Sequence, residues 1–414
     1  MKILWFSNVV LSDVDKGVTG TWLGAIAERL IASGQVTLCN VARGNVRGPT
    51  PLDCSVLQQW LVPATPLNND GFPSRKVVEG VLRIVDLFSP DLIHIWGVEV
   101  WWGLLRARGF LRQPVLLEIQ GIKGALSRVF AGGLTLKEQR SCQGLKEMVM
   151  QRSIEKDRRK FMAWGRFEKE IIAGCHHVVT QTPWVESWVR AANFGCNTYQ
   201  TELMLRKQFY EAALWTPTTN EPAIFCSAAY PAPYKGVHDA IRAIALLSRR
   251  FPKIRLRIAG AHQKAGLRQD GYVRWLNTLC DELGVSGRID WLGALSAELI
   301  VQEIQNCSVF VMPSHCETYC VALAEALYLG CPSVTSFNGG TSWLVADDTT
   351  GVFYPPGDVA MCAYQVERLL TDLDLAIRLS QNARAGAVAR NNPKNIIASQ
   401  LEIYRQVIAK GSDC

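Results

Sequence analysis

Short, almost unbroken apolar runs recur along the chain, each followed by a stretch whose apolar residues return every three or four positions. A run that is apolar on both faces suits a strand covered by helices on both sides, and the alternation predicts parallel sheets of α/β type. In the first half the strand candidates are 2–10, 36–43, 91–98, 114–121 and 176–182. The pattern restarts with 222–230, 254–260, 288–293, 307–314 and 331–336, separated by helices such as 237–250, 270–283 and 320–329. Between the sets, around 200–220, "NTYQTELMLRKQFYEAALWTPTTNEP" breaks the rhythm. The expectation is two doubly wound domains, 1–205 and 206–388, facing a central cleft. A helix within 389–414, after "NNP", is expected to pack back across their junction.

Length agrees, since 414 residues exceed what one ordinary hydrophobic core serves. With 48% hydrophobic and 20% charged residues the chain reads as globular throughout. "MKILWFSNVVLSD" reads as a first buried strand and not as a signal peptide, and no window reaches the roughly 20 apolar residues that span a bilayer. Thirteen cysteines without a C-x-x-C pair fit a reducing cytoplasm. Cys316 and Cys320 lack partners at metal-ligand spacing, so no metal is expected. The net charge of +7 is uneven, with 24 Lys/Arg against 18 Asp/Glu in 1–205 and 20 against 19 in 206–414. A basic half attracts anionic partners such as phospholipid headgroups or a pyrophosphate-linked acceptor. Nucleic acid is set aside because no reading motif accompanies the charge.

The densest chemistry lies in "MPSHCETYCVALAEALYLGCPSVTSFNGGTSWLVADDTTGVFYPPGD", 312–358. A strand ends near Val311 and a helix begins near Cys320, so the backbone N–H groups of Tyr319, Cys320 and Val321 are candidates to hold a diphosphate. Glu317 at the loop's end could reach sugar hydroxyls, and Glu325 within the helix could accept from a ribose. The plainer alternative is that Glu317 caps the helix and Glu325 sits on a solvated face.

Glu317 and Glu325 are separated by seven residues and followed by "GCPSVTS", "NGG" and "TTGVFYPPGD". In that order and spacing the segment resembles the retaining, GT-B-fold glycosyltransferases with an E-x7-E motif, a family that includes many bacterial polysaccharide and lipopolysaccharide sugar transferases. "PAPYKGVHDAIRAIALL" (231–247) is similar to the family's "KG" segment, which makes Lys235 the donor-phosphate lysine. The resemblance implies two Rossmann-like domains. It also implies a nucleotide-sugar donor, a saccharide or lipid-linked acceptor bound by the N-terminal domain, retained anomeric configuration, and neither metal nor cofactor. Lys235, Glu317 and Gln120 become the catalytic candidates. Gly20, Lys235, Glu317, Tyr319, Cys320, Val321 and Glu325 become the donor-binding ones. Gly17, Gly20 and Gly24 stand where the family has a glycine-rich loop, and Gln120 where many relatives have a histidine.

One departure limits the likeness. Many members carry an arginine shortly before the lysine, and here Ala229 or Tyr230 stands in its place. That gap keeps a second class open, a GT-B protein that transfers nothing, such as a nucleotide-sugar epimerase or a non-catalytic assembly partner. His94 reads as core, and His315 as either a donor contact or a bland loop residue. The segment 152–172 places Phe161, Trp164, Phe167 and Ile171 at helical spacing among many cations. It either rests on an anionic membrane at the inner face, grips a lipid-linked acceptor, or packs on its own domain. The choice among UDP, GDP and ADP, the sugar, the acceptor and the linkage are not encoded legibly.

Overall fold

The computed structural model describes residues 1–11, 22–52, 57–218, 221–228, 232–260 and 269–411. It divides into two units, each described by itself. Unit 1 comprises 1–124, 163–204 and 391–414, and unit 2 comprises 125–162 and 205–390.

Unit 1 holds β1 (Lys2–Phe6), β2 (Thr37–Gly44), β3 (Thr50–Leu52), β4 (Gln58–Pro63), β5 (Leu92–Trp96), β6 (Val115–Glu118), β7 (His177–Thr180) and β8 (Asn197–Gln200). They form one sheet in the order β3-β4-β2-β1-β5-β6-β7-β8. All pairings are parallel except β3 with β4. Ile3, Leu4, Trp5 and Phe6 are all fully buried, as a central parallel strand requires. The helix Pro393–Lys410 belongs to this unit, with Pro at its start and Asn392 capping Lys394 and Asn395. Its Tyr404 hydroxyl accepts from Trp5 Nε1 at 3.1 Å and lies 2.9 Å from His94 Nδ1. His94 is wholly buried, matching its reading as core.

Unit 2 holds β9 (Ala223–Ser227), β10 (Arg255–Ala259), β11 (Ile289–Gly293), β12 (Val309–Met312), β13 (Ser333–Ser336) and β14 (Val352–Tyr354). The order is β11-β10-β9-β12-β13-β14, parallel throughout. Progress along the sheet reverses direction between β9 and β12, and at such a switch point the loops leaving the two strands diverge and open a crevice.

Two expectations need correction. Residues 125–162, assigned with the N-terminal domain, cluster with unit 2. The physical reason is apolar and polar docking together: Leu134 and Cys142 join the buried core of Ile224, Ile241 and Trp275, and Glu147 accepts the Gly271 N–H at 3.1 Å. The terminal piece begins at Asn391 and not at 389. The apolar stripe of 152–172 is taken up by protein. Phe167 and Ile171 are buried, Phe161 packs edge-on against Phe130, and Trp164 Nε1 donates to the Val98 carbonyl at 2.8 Å.

Candidate functional site

Lys235 and Glu317 come from the loops leaving β9 and β12, the two strands at the switch point of unit 2. Lys235 ends a single tight turn, Pro233–Lys235, and Gly236 follows at φ 67°, in the left-handed region. A Cβ on Gly236 would overlap the Pro313 carbonyl oxygen, so this glycine lets the lysine turn lie against the exit of β12. The helix Val237–Leu247 then begins, with Asp239 in its first turn. Lys235 Nζ lies 2.7 Å from Glu317 Oε1, both side chains largely but not wholly enclosed. Burial opposes the ammonium charge, yet the adjoining Glu317 carboxylate outweighs it and holds the Lys235 pKa above its ordinary value.

The Glu317 loop is pinned from β13. Asn338 Oδ1 accepts the Glu317 N–H at 2.9 Å, and Asn338 Nδ2 donates to the Ser314 carbonyl at 2.7 Å. The Gly340 N–H donates to the Glu317 carbonyl at 2.7 Å. Tyr319 is buried, and Cys320 occupies the N-cap of the helix Val321–Tyr328 at φ 84°. A non-glycine residue held there stores roughly 1–2 kcal/mol of strain. Val321 and Ala322 are partly open, so the helix's first turn faces accessible space with N–H groups that lack an intrahelical acceptor. Burial pushes the Cys316 thiol up to about 12 and also raises the Cys320 thiol well above its ordinary value, which keeps both protonated and poor as nucleophiles or ligands.

Glu325 sits one turn further, buried, and is not on a solvated face. Its two oxygens receive Arg206 Nε and Nη2, each at 2.7 Å. Burial raises the Glu325 pKa and the Arg206 guanidinium opposes that shift. Arg206 falls in the stretch that the sequence pattern marks as a break between domains. Nothing in hydrophobic period or motif spacing signals its partner.

Gln120 lies in unit 1, two residues beyond β6. Gly17 and Gly20 lie outside the described residues, as do Ala229 and Tyr230. Gly24 is buried in the helix Trp22–Ala32. Asn338 and Asp239, which order the site, were missed, although "NGG" directly after a strand is a turn signal.

Comparison with known proteins bears on this unit first. Residues 216–386 match the family of glycosyl transferases, group 1. The group 1 segment is about two-fifths of the chain, and it contains Lys235, Glu317 and Glu325. Glycogen synthase of Mycobacterium tuberculosis is 32% identical over 170 residues, which cover 41% of this chain and 39% of that protein. The match thus spans about two-fifths of the relative's length. Beyond the group 1 segment, the sucrose-phosphate synthase structure from Thermosynechococcus elongatus covers 99% of both chains at TM-score 0.76 and 20% identity. Anabaena HepE in complex with UDP-glucose covers 97% of this chain and 99% of its own at TM-score 0.67 and 17% identity. The fold is therefore GT-B, with one Rossmann-like domain in each unit. Among the described residues no helix is long and apolar enough to cross a membrane.

Proposed function

We propose that this protein is a glycosyltransferase that moves a sugar from a nucleotide-sugar donor to a saccharide or lipid-linked acceptor in the assembly of a cell-surface polysaccharide. The observation that carries the reading is the Lys235–Glu317 pair at the switch point of unit 2, beside the open amide end of the helix Val321–Tyr328. The group 1 match over the same residues supports it.

In this reading the donor's diphosphate lies against the Lys235 ammonium and the N–H groups of Tyr319, Cys320 and Val321. As the glycosidic bond breaks, negative charge grows on the leaving diphosphate, and a fixed cation and fixed dipoles stabilise that charge without reorganising. No metal is needed for this step. Glu317 holds sugar hydroxyls, while Glu325, oriented by Arg206, keeps lone pairs for the ribose because a carboxylate offers about four acceptor sites. The sugar is transferred on the face the nucleotide leaves, with retention, and the leaving phosphate takes the acceptor's proton. Gln120 orients a hydroxyl by hydrogen bonding, since an amide cannot serve as a base. The protein works in the cytoplasm, and any contact with the inner face of the membrane is peripheral.

Thermal melts against UDP-, GDP- and ADP-sugars test the reading, followed by assay for transfer. A bound donor at about 100 times its Kd stabilises by about 2.7 kcal/mol, a shift of several degrees in Tm. Stabilisation with transfer supports the proposal. Stabilisation with epimerisation alone, or binding without turnover, would move the protein to the non-transferring class.

A further inference from the structure

Next to the Lys235–Glu317 pair, His238, Asp239 and His315 bring nitrogen and carboxylate atoms within 4.8 Å of one another, a spacing that would suit a metal ion. The hydrogen bonds favour another use. His238 Nε2 lies 2.8 Å from the Gly132 carbonyl, which can only accept, so Nε2 carries the proton and Nδ1 accepts from the Tyr272 hydroxyl at 2.8 Å. Both nitrogens are thereby occupied, and burial drives the His238 pKa down to about 4, leaving a neutral structural ring.

His315 is arranged differently. Its Nε2 lies 2.8 Å from Asp239 Oδ2, and a carboxylate can only accept, so the Nε2 proton points at Asp239. Nδ1 is then a lone-pair acceptor, and among the described residues it has no hydrogen-bond partner. The His315 main-chain N–H donates to the Tyr234 carbonyl at 2.7 Å, tying the ring to the turn that carries Lys235. Along the loop Ser314 and Cys316 turn inward, Glu317 stays partly open, and the His315 side chain is largely enclosed, 8% exposed. The Cε1 edge of the ring is bordered by Gly133 and Gly357, at φ 75° and 81°, and a Cβ on either would come within 3.5 and 3.3 Å of Cε1. Two loops thus present bare backbone beside the one ring edge that has an unused acceptor.

We propose that His315 is a sugar-recognition residue whose Nδ1 accepts a hydrogen bond from a hydroxyl of the donor's sugar, with Asp239 as the positioning residue that fixes the tautomer. The proposal rests on the donor-site reading above and deepens it. With its Nε2 hydrogen turned to Asp239, the ring offers a hydroxyl an Nδ1 lone pair, which has nothing to give a phosphate oxygen, so the contact discriminates the sugar from the diphosphate.

The test is calorimetric titration of the full chain with UDP, GDP and ADP and with their glucose and mannose conjugates, including the 2-, 3-, 4- and 6-deoxy sugars. His315→Ala is expected to leave nucleoside diphosphate affinity within about twofold and to weaken the sugar nucleotide about tenfold, the scale of one hydrogen bond. His315→Leu, which fills much of the ring's space but offers no acceptor, should lose the same factor and guards against a folding defect in the alanine variant. One deoxy conjugate should bind about tenfold weaker to the wild type yet equally to both variants, the signature of a direct pair. Asp239→Asn, whose amide can donate as well as accept, should reduce that preference part-way. Equal weakening of diphosphate and sugar nucleotide, or no change in either, overturns the assignment. Absence of binding by every nucleotide to the wild type sinks the donor-site reading itself.

Discussion

Lys235 and Glu317 neutralise one another in the free protein, and that pairing sets what each substitution does. Lys235→Ala leaves the largely enclosed Glu317 without its partner and removes the cation facing the leaving group. We expect transfer to fall about 100- to 1,000-fold, the range for loss of one preorganised charge-stabilising group, measured as kcat/KM against the best donor. A second expectation concerns acid groups in unit 1. Burial raises Glu99 to about 7, and burial likewise raises Glu168 to about 7 although it accepts the N–H groups of Lys123 and Gly124. Because the folded state binds these protons more tightly than the unfolded chain, their contribution is present below about pH 4.5 and is lost as pH rises through about 7. Urea unfolding of Glu99→Gln should therefore show a shallower fall in stability between pH 5 and 8 than the wild type. An equal slope in both would refute the assignment. At this scale motif spacing singled out Lys235, Glu317 and Glu325, and the fold sets Lys235 against Glu317 and Glu325 within the helix Val321–Tyr328. The spacing did not disclose Arg206, Asp239 or Asn338, whose partners lie 119, 76 and 21 positions away. Pairings at such distance leave no local period.

The helix Val321–Tyr328 depends on what holds its two acidic neighbours. Glu317 is stapled by Asn338 and Gly340, and Glu325 is clamped by Arg206 from the short segment before the helix Lys207–Glu211. Arg206→Ala would leave a buried carboxylate without a counter-charge, and breaking such a pair costs about 3–5 kcal/mol. Scanning calorimetry should register this as a fall in the melting of unit 2, and Arg206→Leu combined with Glu325→Leu should recover part of it. Recovery would be absent if the pair contributed only surface attraction. The helices around the site and ten of the strands follow from apolar runs. β3, β4, β8 and β14 do not, because they are short or sit toward sheet edges: β8 reads Asn-Thr-Tyr-Gln with no fully buried residue, and β14 has three residues. A strand that buries little has little hydrophobic pattern to show.

Over the whole chain the charge and the contacts tell a more specific story than composition does. Residues 125–162 hold nine Lys/Arg against four Asp/Glu, so most of the basic excess of the N-terminal half belongs to unit 2. Within that segment Met148, Val149 and Met150 are exposed by 64%, 83% and 57%, while the apolar face of the adjacent long helix is packed. Any membrane contact should therefore run through these three residues and the cations around them, and not through Phe167 and Ile171. Flotation with vesicles containing phosphatidylserine should be lost on Met148→Asp with Val149→Asp; flotation that persists would exclude this surface. The domain count and the α/β class were legible because alternating apolar runs extend over the full length. The exchange of 125–162 between units was not, since a chain that crosses between two cores keeps the same alternation whichever core it joins.

The central claim is that unit 2 holds a nucleotide sugar between Lys235 and the amide end of Val321–Tyr328. Diffraction from crystals soaked in the most stabilising sugar nucleotide tests it most directly. The account predicts diphosphate density within hydrogen-bond reach of Lys235 Nζ and the Cys320–Val321 amides, with the sugar toward Glu317 and the ribose toward Glu325. Density for the same ligand at any other place on the molecule, with Lys235 and Glu317 still paired, would contradict it.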